Sequence, residues 1–202
     1  MEAVLSIAGS DSSGGAGIQA DIKTIAAHRL FAETAITALT AQNTLGVTGV
    51  LDVDPAFVAK QIDAVFEDIR PAAVKVGMVS SAAIIEAVAD ALERHAAANI
   101  VVDPVMVATS GARLIGDDAI EALKARLLPL ADVVTPNMPE AAVLAGFEVV
   151  DETSMERAAL RLAEAGTGAA LAKGGHRHDR AAVRVVGAVD AVADIVHIAR
   201  NA

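Results

Sequence analysis

The sequence contains no cysteine, no tryptophan and no tyrosine, and phenylalanine occurs only four times. Without cysteine, the chain can form neither disulfides nor metal sites with thiolate ligands. Apolar residues still make up 54% of the 202 residues, and alanine is the commonest of them. Such a core is expected to rest on many small contacts with few large anchors. The length suits one domain, which we expect to cover residues 1–202.

Positive charge is also scarce. The sequence has 16 lysines and arginines against 26 aspartates and glutamates, which gives a formal net charge of −10. A nucleic-acid-binding protein needs a basic stripe to neutralise phosphates, and the sequence has none. Backbone N–H groups and one lysine can nevertheless hold an anion on an acidic protein. The composition therefore excludes nucleic acid as a partner and leaves small anionic ligands open.

Long apolar runs are absent as well, and we expect no secretory leader. The longest uncharged run, residues 34–51, contains five threonines together with Gln42 and Asn43. That polarity argues against a membrane span. A strand-like Ala3-Val4-Leu5-Ser6-Ile7-Ala8 begins where a leader would carry basic residues. We therefore expect a cytoplasmic protein without membrane contact.

Short apolar runs alternate with helical patterns along the chain, which predicts an α/β fold with a mainly parallel sheet covered by helices. The predicted strands are residues 3–8, 34–40, 74–76, 100–102, 132–134 and 169–173, with a closing hairpin at 183–186 and 193–197. The predicted helices are residues 17–27, 55–66, 82–95, 117–128 and 153–165. Asp54-Pro55 is a favourable helix start, and Thr153 with Glu156 is expected to form a capping box.

A glycine-rich segment, Gly9-Ser10-Asp11-Ser12-Ser13-Gly14-Gly15-Ala16-Gly17, follows the first strand and precedes the first helix. Ligands of parallel sheets bind at the carboxyl ends of strands, and clustered glycines let the backbone approach a ligand closely. A plain tight turn is the alternative interpretation. The Gly-Gly-x-Gly spacing differs from the dinucleotide fingerprint, and no acidic residue closes the second strand to hold a ribose.

Taken whole, this segment through Asp21 resembles the N-terminal signature of the hydroxymethylpyrimidine and phosphomethylpyrimidine kinases of thiamine biosynthesis, which belong to the ribokinase superfamily. The resemblance continues in order through five further motifs and covers about the first 176 residues. The glycine-rich segment precedes all five. The five motifs are Ala38-Leu39-Thr40-Ala41-Gln42-Asn43-Thr44, Lys75-Val76-Gly77-Met78, Val102-Asp103-Pro104-Val105-Met106, Thr135-Pro136-Asn137-Met138-Pro139-Glu140-Ala141 and Lys173-Gly174-Gly175-His176. It implies a three-layer ribokinase-like fold and ATP-dependent phosphorylation of the pyrimidine and of its monophosphate.

The resemblance implies that Gly9, Asp21 and Gln42 hold the pyrimidine, and that Met78 and Val105 line its flat faces. An aminopyrimidine edge carries a donor and ring-nitrogen acceptors, which a side-chain amide can meet while Asp21 supplies a further acceptor. Met and Val offer apolar surface to a ring. Considered alone, Asp21 is equally an exposed helix residue, Gln42 a loop residue, and the two apolar side chains ordinary core.

The resemblance also assigns a phosphate side to the site. Asp103 and Glu140 are expected to organise Mg²⁺, often through water, while Asn137 and Lys173 contact the phosphates of ATP. Oxygen ligands with retained waters suit Mg²⁺, and a lysine acts on phosphates as a point charge. The alternatives are helix capping for Asn137 and Glu140 and a solvated strand end for Lys173. His176 is interpreted as a turn residue.

In the resembling family, a Gly-Thr-Gly-Cys-type segment after the Lys-Gly-Gly-His motif opens a helix, forms the anion hole and carries the catalytic base. The sequence ends at Ala202, about where that segment is expected to begin, so we expect a fold shortened at its C-terminus and slow turnover by these 202 residues. Lys173 then remains as the catalytic group that stabilises the phosphate. Gly166-Thr167-Gly168 precedes a predicted strand and is not that segment.

Two other functions stay open at this point. Related enzymes accept pyridoxal, although Gln42 favours the aminopyrimidine, and a non-catalytic pyrimidine-binding protein would fit the missing anion hole. The resembling family commonly forms homodimers. We expect residues 46–53 to supply an extra strand near such an interface.

Overall fold

The computed structural model of the protein describes residues 1–106 and 115–174 in full, and the backbone of residues 183–187. The strands are β1 (Ala3–Asp11), β2 (Phe31–Asn43), β3 (Gly46–Asp52), β4 (Ala73–Val76), β5 (Ile100–Val102), β6 (Val133–Val134), β7 (Ala169–Lys173) and β8 (Val183–Gly187). The helices are α1 (Gly17–Ala27), α2 (Pro55–Asp68), α3 (Ala82–Arg94), α4 (Asp117–Ala122), α5 (Met138–Ala145) and α6 (Glu152–Glu164). None of the helices in these ranges has the length and apolarity that a bilayer span requires.

The eight strands form one sheet in the order β3-β2-β1-β4-β5-β6-β7-β8. Strands β2, β1, β4, β5, β6 and β7 are mutually parallel, while β3 and β8 pair antiparallel at the two edges. The prediction of a mainly parallel sheet is therefore confirmed. The order reverses at β1, because β2 lies on one side of it and β4 on the other. Ligands of open α/β sheets bind at such a switch point.

Helices cover both faces of the sheet, as a three-layer fold requires. Leu5 and Ile7 of β1 point into a large core shared with α2, α3 and α6. The intervening Ser6 faces the other way, where its hydroxyl contacts Asp21 of α1. Strand register extends this second face across the sheet from Ser6 to Lys75 and on to Val101. The two faces therefore differ, because the first is mainly aliphatic, with Glu33 and Thr37 of β2 as its polar residues, and the second carries polar residues beside α1.

The core is aliphatic and rich in small side chains, as the composition predicts. Its largest fully buried residues are leucines, isoleucines, one valine and one methionine. Helix α6 buries Ala158 and Ala159 beside Met155 and Leu162. Alanines at these positions let the helix backbone lie close to the sheet and to α5. Stability therefore comes from many contacts at short range.

The helical prediction for residues 117–128 is confirmed, although the type of helix changes along it, and the prediction for the capping box of α6 was wrong. The helix predicted for residues 117–128 divides into α4, a π-helical turn at Leu123–Leu127 and a 3₁₀ turn at Leu128–Leu130. Pro129 has no N–H to continue an α-helical ladder, and the helical run ends in the 3₁₀ turn that contains it. The capping box of α6 is formed by Asp151 and Ser154, not by Thr153 and Glu156. The box lies two residues earlier because Asp151 is itself a strong N-cap.

Other predictions hold with small shifts of boundary. Asp54 caps α2 by accepting from the N–H of Phe57, and Pro55 is its first residue. β8 covers the first half of the predicted hairpin and pairs with β7. The second half, residues 193–197, and His176 lie outside the described residues. The extra strand expected at 46–53 is β3.

Glu33 of β2 is an exception in this well-paired structure. Its Oε2 atom is buried and has no hydrogen-bond partner among the described residues. Burial raises the pKa of Glu33, and the negative charge of Asp68 raises it further. Because the folded-state pKa lies above the unfolded one, ionisation of Glu33 opposes folding. Stability should therefore fall as pH rises from the ordinary glutamate range through the folded-state pKa.

We predict that Glu33→Gln raises the free energy of unfolding by about 1 kcal/mol at neutral pH, because the substitution keeps the shape and removes a poorly solvated charge. The gain should shrink towards zero at about pH 3, below the ordinary glutamate pKa, where the carboxyl is protonated in both states. Urea denaturation at the two pH values measures it. Glu164→Gln, at an exposed position of α6, is the matched control. A gain that does not depend on pH would contradict the assignment.

Candidate active site

The switch point beside β1 is lined by Gly9 and Met78. Gly9 is buried near the end of β1, and Met78 follows β4. A Cβ atom added to Gly9 would lie 2.5 Å from Met78 Cε, so any side chain at position 9 would displace the methionine. The two residues expected on the pyrimidine side therefore contact each other. Val105 is half-buried and lies two residues after Asp103, just beyond the end of β5, the strand that pairs with β4.

The glycine-rich loop is folded around the carboxylate of Asp11, which is 4% exposed. It accepts hydrogen bonds from the N–H groups of Ser13, Gly15 and Ala16 at 2.8–2.9 Å, and from the Ser13 hydroxyl. Burial alone would raise the pKa of Asp11, but these hydrogen bonds outweigh it and hold the pKa below its usual range. Gly17 begins α1 with φ of 56°, where an added Cβ would meet the Gly9 carbonyl. These contacts fix the conformation of the glycine-rich loop more closely than a plain tight turn would require.

Gln42 lies beside this loop at the end of β2. The Ser12 hydroxyl donates to the Gln42 carbonyl at 2.7 Å and accepts from the Gln42 N–H at 2.8 Å. The Thr40 hydroxyl contacts the Ser10 carbonyl at 3.0 Å and Gln42 Oε1 at 3.3 Å. The single Thr40 proton can serve only one of these acceptors, and the Ser10 carbonyl is the nearer one, so the Gln42 amide remains available to a ligand.

Asp21 lies one turn into α1, on the second face of the sheet. Its Oδ2 atom accepts from the Ser6 hydroxyl at 2.6 Å and pairs with Lys75 Nζ at 2.8 Å. Lys75 is the penultimate residue of β4, and its ammonium extends towards Gly77, where an added Cβ would lie 2.8 Å from Nζ. The pair therefore lies at the carboxyl end of β4. Asp21 is not the freely exposed helix residue of the alternative interpretation, because its side chain is 20% exposed.

A second polar group lies at the ends of β5, β6 and β7. Lys173 Nζ pairs with Asp103 Oδ1 at 2.8 Å, and the Thr135 hydroxyl donates to the same oxygen at 3.0 Å. The Lys173 N–H donates to the Pro136 carbonyl, which extends β7 along the β6 edge. The lysine is 40% exposed and the aspartate 28%. An ion pair open to this degree can still exchange partners with a bound anion.

Asn137 and Glu140 form the capping box of α5, so the capping interpretation of these residues is correct. Asn137 Oδ1 accepts from the Glu140 N–H at 2.9 Å, and a Glu140 oxygen accepts from the Asn137 N–H at 2.8 Å. Glu140 is 5% exposed. Burial raises its pKa, the Asn137 N–H opposes that rise, and the nearby charge of Asp103 adds to it. Glu140 therefore caps α5 and also interacts electrostatically with Asp103.

The donor chemistry fits Mg²⁺ in part. Asp103 and Glu140 offer carboxylate oxygens that influence each other electrostatically. No cluster of three or more His, Cys, Asp or Glu occurs among residues 1–106 and 115–174. Two carboxylates match a Mg²⁺ ion that keeps waters and takes its other ligands from phosphates.

Several residues that hold the site residues in place were not predicted from the sequence, although the sequence around two of them indicated buried charge. Lys75 stands between Val74 and Val76, which are buried at 1% and 0% exposure. A lysine in such a strand requires an anionic partner. Asp11 is an acid inside a glycine and serine loop, where a carboxylate commonly collects backbone N–H groups. Ser6 and Thr135 carried no comparable signal.

Comparison with known proteins identifies the family of this chain. The sequence profile of a family described as phosphomethylpyrimidine kinase matches residues 11–196. A hydroxymethylpyrimidine/phosphomethylpyrimidine kinase from Rhizobium meliloti is 55% identical over 173 residues, which cover 85% of this chain and 65% of that protein. The chain belongs to the phosphomethylpyrimidine kinase family. A bifunctional thiamine biosynthesis protein from Geobacter sulfurreducens is 54% identical over 86% of this chain.

Solved structures agree with this family membership. The crystal structure of phosphomethylpyrimidine kinase from Clostridium difficile superposes with a TM-score of 0.87 at 46% identity, covering 93% of this chain and 81% of that one. Bacillus subtilis pyridoxal kinase, solved as an ADP complex, gives 0.81 at 32% identity, covering 94% and 77%. The chain spans 65% of the Rhizobium kinase and 35% of the Geobacter protein.

Gly166-Thr167-Gly168 serves the turn into β7, as predicted. The Thr167 hydroxyl donates to the Leu162 carbonyl at 3.0 Å, which closes the end of α6. A Cβ added to Gly168 would lie 2.7 Å from the Asp132 carbonyl oxygen. These residues therefore belong to the opposite, amino edge of the sheet.

We predict that Glu140→Ala lowers the free energy of unfolding by about 1 kcal/mol, because the Asn137 N–H loses its acceptor. Glu140→Gln should cost little, since its amide oxygen still accepts that bond and a buried charge disappears. Thermal or urea denaturation compares the two variants. Equal losses would show that the carboxylate charge, and not the cap, stabilises α5.

Proposed function

We propose that this protein phosphorylates 4-amino-5-hydroxymethyl-2-methylpyrimidine and then its monophosphate, with ATP as phosphate donor. The observation that carries the proposal is the alignment of two groups along one sheet edge. Gly9, Met78 and Gln42 lie at one end, and the Asp103–Lys173 pair lies at the other. Relatives that are hydroxymethylpyrimidine/phosphomethylpyrimidine kinases support the same reaction.

On the phosphate side, Lys173 and Asn137 would contact the phosphates of ATP, and Asp103 and Glu140 would hold Mg²⁺. Bound Mg²⁺ would neutralise charge on the phosphates. Phosphoryl transfer depends mainly on positioning and electrostatic stabilisation. Lys173 suits this role because its side chain is 40% exposed and already lies 2.8 Å from an oxygen anion. The capping box holds Glu140 and Asn137 in place before any ligand arrives.

On the pyrimidine side, Gly9 leaves room against the backbone, and Met78 and Val105 would contact the faces of the ring. Gln42 would donate its NH₂ to a ring nitrogen, and Asp21 would accept from the amino group. In the proposed step, the hydroxymethyl oxygen bonds to the γ-phosphorus, the bond from that phosphorus to the bridging oxygen of ADP breaks so that ADP leaves, and the hydroxyl proton passes to water. In the second reaction an oxygen of the monophosphate takes the place of that hydroxyl.

Pyridoxal is the second candidate substrate, because pyridoxal kinases from Bacillus subtilis and Staphylococcus aureus superpose with TM-scores of 0.81 and 0.84. Gln42 favours the aminopyrimidine, whose ring presents adjacent donor and acceptor groups. Coupled ADP release with ATP and Mg²⁺ separates the two. We expect greater stimulation by hydroxymethylpyrimidine than by pyridoxal, and pyrimidine binding without turnover would identify a non-catalytic protein. Because ATP is a cytoplasmic metabolite, we also infer a cytoplasmic location.

We predict that Gln42→Ala weakens pyrimidine binding roughly tenfold or more and leaves ADP binding unchanged, because ring nitrogens lose a donor. Gln42→Glu should lose at least as much, since it replaces the NH₂ donor by an acceptor. Isothermal titration calorimetry with both ligands measures the difference. Unchanged pyrimidine affinity in Gln42→Ala would remove this residue from the site.

We also propose a homodimer that uses the β3 edge. Leu51 of β3 is 67% exposed and Val50 48%, and among the described strands β3 is an edge of the sheet, with only β2 as a neighbour. Light scattering is expected to give a dimer, and Leu51→Glu should shift it towards monomer by placing charge in the contact. Leu160→Glu, at an exposed position of α6, is the control. A wild-type monomer at high concentration would count against the dimer.

A further inference from the structure

Lys75 occupies an unusual position for a charged residue. It lies in β4 between two buried valines, and its side chain is 27% exposed on the second face of the sheet. Strand register places it directly beside Ser6 of β1. Both side chains converge on the same atom, Asp21 Oδ2, at 2.8 Å and 2.6 Å. A charge at this depth is retained only where it has a partner.

The two oxygens of Asp21 therefore differ. Oδ2 accepts from an ammonium and from a hydroxyl, whereas Oδ1 makes no hydrogen bond to any residue in the described part of the chain. Two donors on one oxygen fix the rotation of the carboxylate about its last bond. The other oxygen is left as an acceptor of defined direction. Ser6 and Lys75 come from neighbouring strands of the rigid sheet, so they hold that direction better than loop residues would.

The amide of Gln42 offers complementary chemistry. Its Oε1 lies 3.3 Å from the Thr40 hydroxyl, whose single proton has a nearer acceptor in the Ser10 carbonyl at 3.0 Å, so the amide keeps its NH₂ donor for a ligand. The Asp21 acceptor and the Gln42 donor together match an aminopyrimidine, which presents an amino donor next to a ring-nitrogen acceptor. A ring that lacks the amino group would leave the acceptor without a partner, and unpaired polar groups in a site discriminate strongly.

We propose that Lys75 is a positioning residue for substrate specificity, which acts by fixing the Asp21 carboxylate so that Oδ1 accepts a hydrogen bond from the exocyclic amino group of the pyrimidine. This inference rests on the proposed function, because it takes the pyrimidine as the ligand of this site. Lys75 itself touches no substrate atom in this arrangement. Its effect is therefore confined to ligands that donate a hydrogen bond to Asp21.

The test is calorimetric titration of the 202-residue protein with two ligands. One is 4-amino-5-hydroxymethyl-2-methylpyrimidine, and the other is the same ring without the amino group. In Lys75→Met, affinity for the amino ligand should fall roughly tenfold, with little change for the other ring. Lys75→Arg should retain most of the preference, because its guanidinium can still donate to Oδ2. Ser6→Ala, which leaves the ion pair in place, should lose less and in the same direction.

A double substitution separates positioning from plain stabilisation. If Lys75 acts through Asp21, adding Lys75→Met to Asp21→Asn should cost almost nothing further for the amino ligand. Mg·ADP affinity and the melting temperature of each variant report whether the fold is intact. Should Lys75→Met fail to fold, Lys75→Arg and Ser6→Ala still decide the matter through their ligand preference.

Each outcome has one meaning. Equal losses for both rings, or additive losses in the double variant, would overturn the role of Lys75 while leaving the proposed function intact. Unchanged affinity for the amino ligand in Lys75→Met would do the same. Failure of the wild-type protein to bind either ring would overturn the proposed substrate, and the inference with it.

Discussion

The arrangement of this site depends on the reversal of strand order at β1. Because β2 and β4 leave on opposite sides of that strand, the chain segments that follow them separate and open a crevice at the carboxyl edge. Six parallel strands then deliver their final residues to the same edge. Residues as distant in sequence as Gly9 and Met78 come into contact there, as do Asp103 and Lys173. The backbone topology thus concentrates the polar groups before any side chain interaction is considered.

Burial of charge is the second constraint, and the structure meets it with paired groups. Asp21 and Asp103 each pair with a strand lysine, and Asp11 collects backbone N–H groups. In each case the partner is supplied by the sheet or by the loop that it anchors, so the carboxylate has a fixed orientation. Glu33 has no such partner for its buried oxygen among the described residues. It lies near the start of β2, far from the carboxyl edge that carries the candidate site.

Sequence reasoning found the elements and the motifs because these depend on local patterns. Apolar spacing gave the helices and strands, and Asp54-Pro55 gave the start of α2. It missed what depends on pairing across the sheet, since Lys75 and Asp21 are separated by 54 positions and meet only through strand register. The capping box of α6 failed for a different reason. Two overlapping acid and hydroxyl pairs fit the pattern there, and Asp151, the stronger N-cap, forms the box with Ser154.

The two ion pairs at the carboxyl edge, Lys75–Asp21 and Lys173–Asp103, are similar in geometry but differ in exposure. Lys75 and Lys173 both extend from the ends of parallel strands to aspartates at 2.8 Å. Lys75 is the less exposed of the two, at 27% against 40%, and its aspartate is held by a second donor from the sheet. Such a pair is suited to staying closed while Asp21 meets a neutral ring. Lys173 is open to solvent on one side, so an incoming phosphate can approach its ammonium without first removing Asp103. The difference in exposure therefore separates a lysine that orients its partner from a lysine that is available to a ligand.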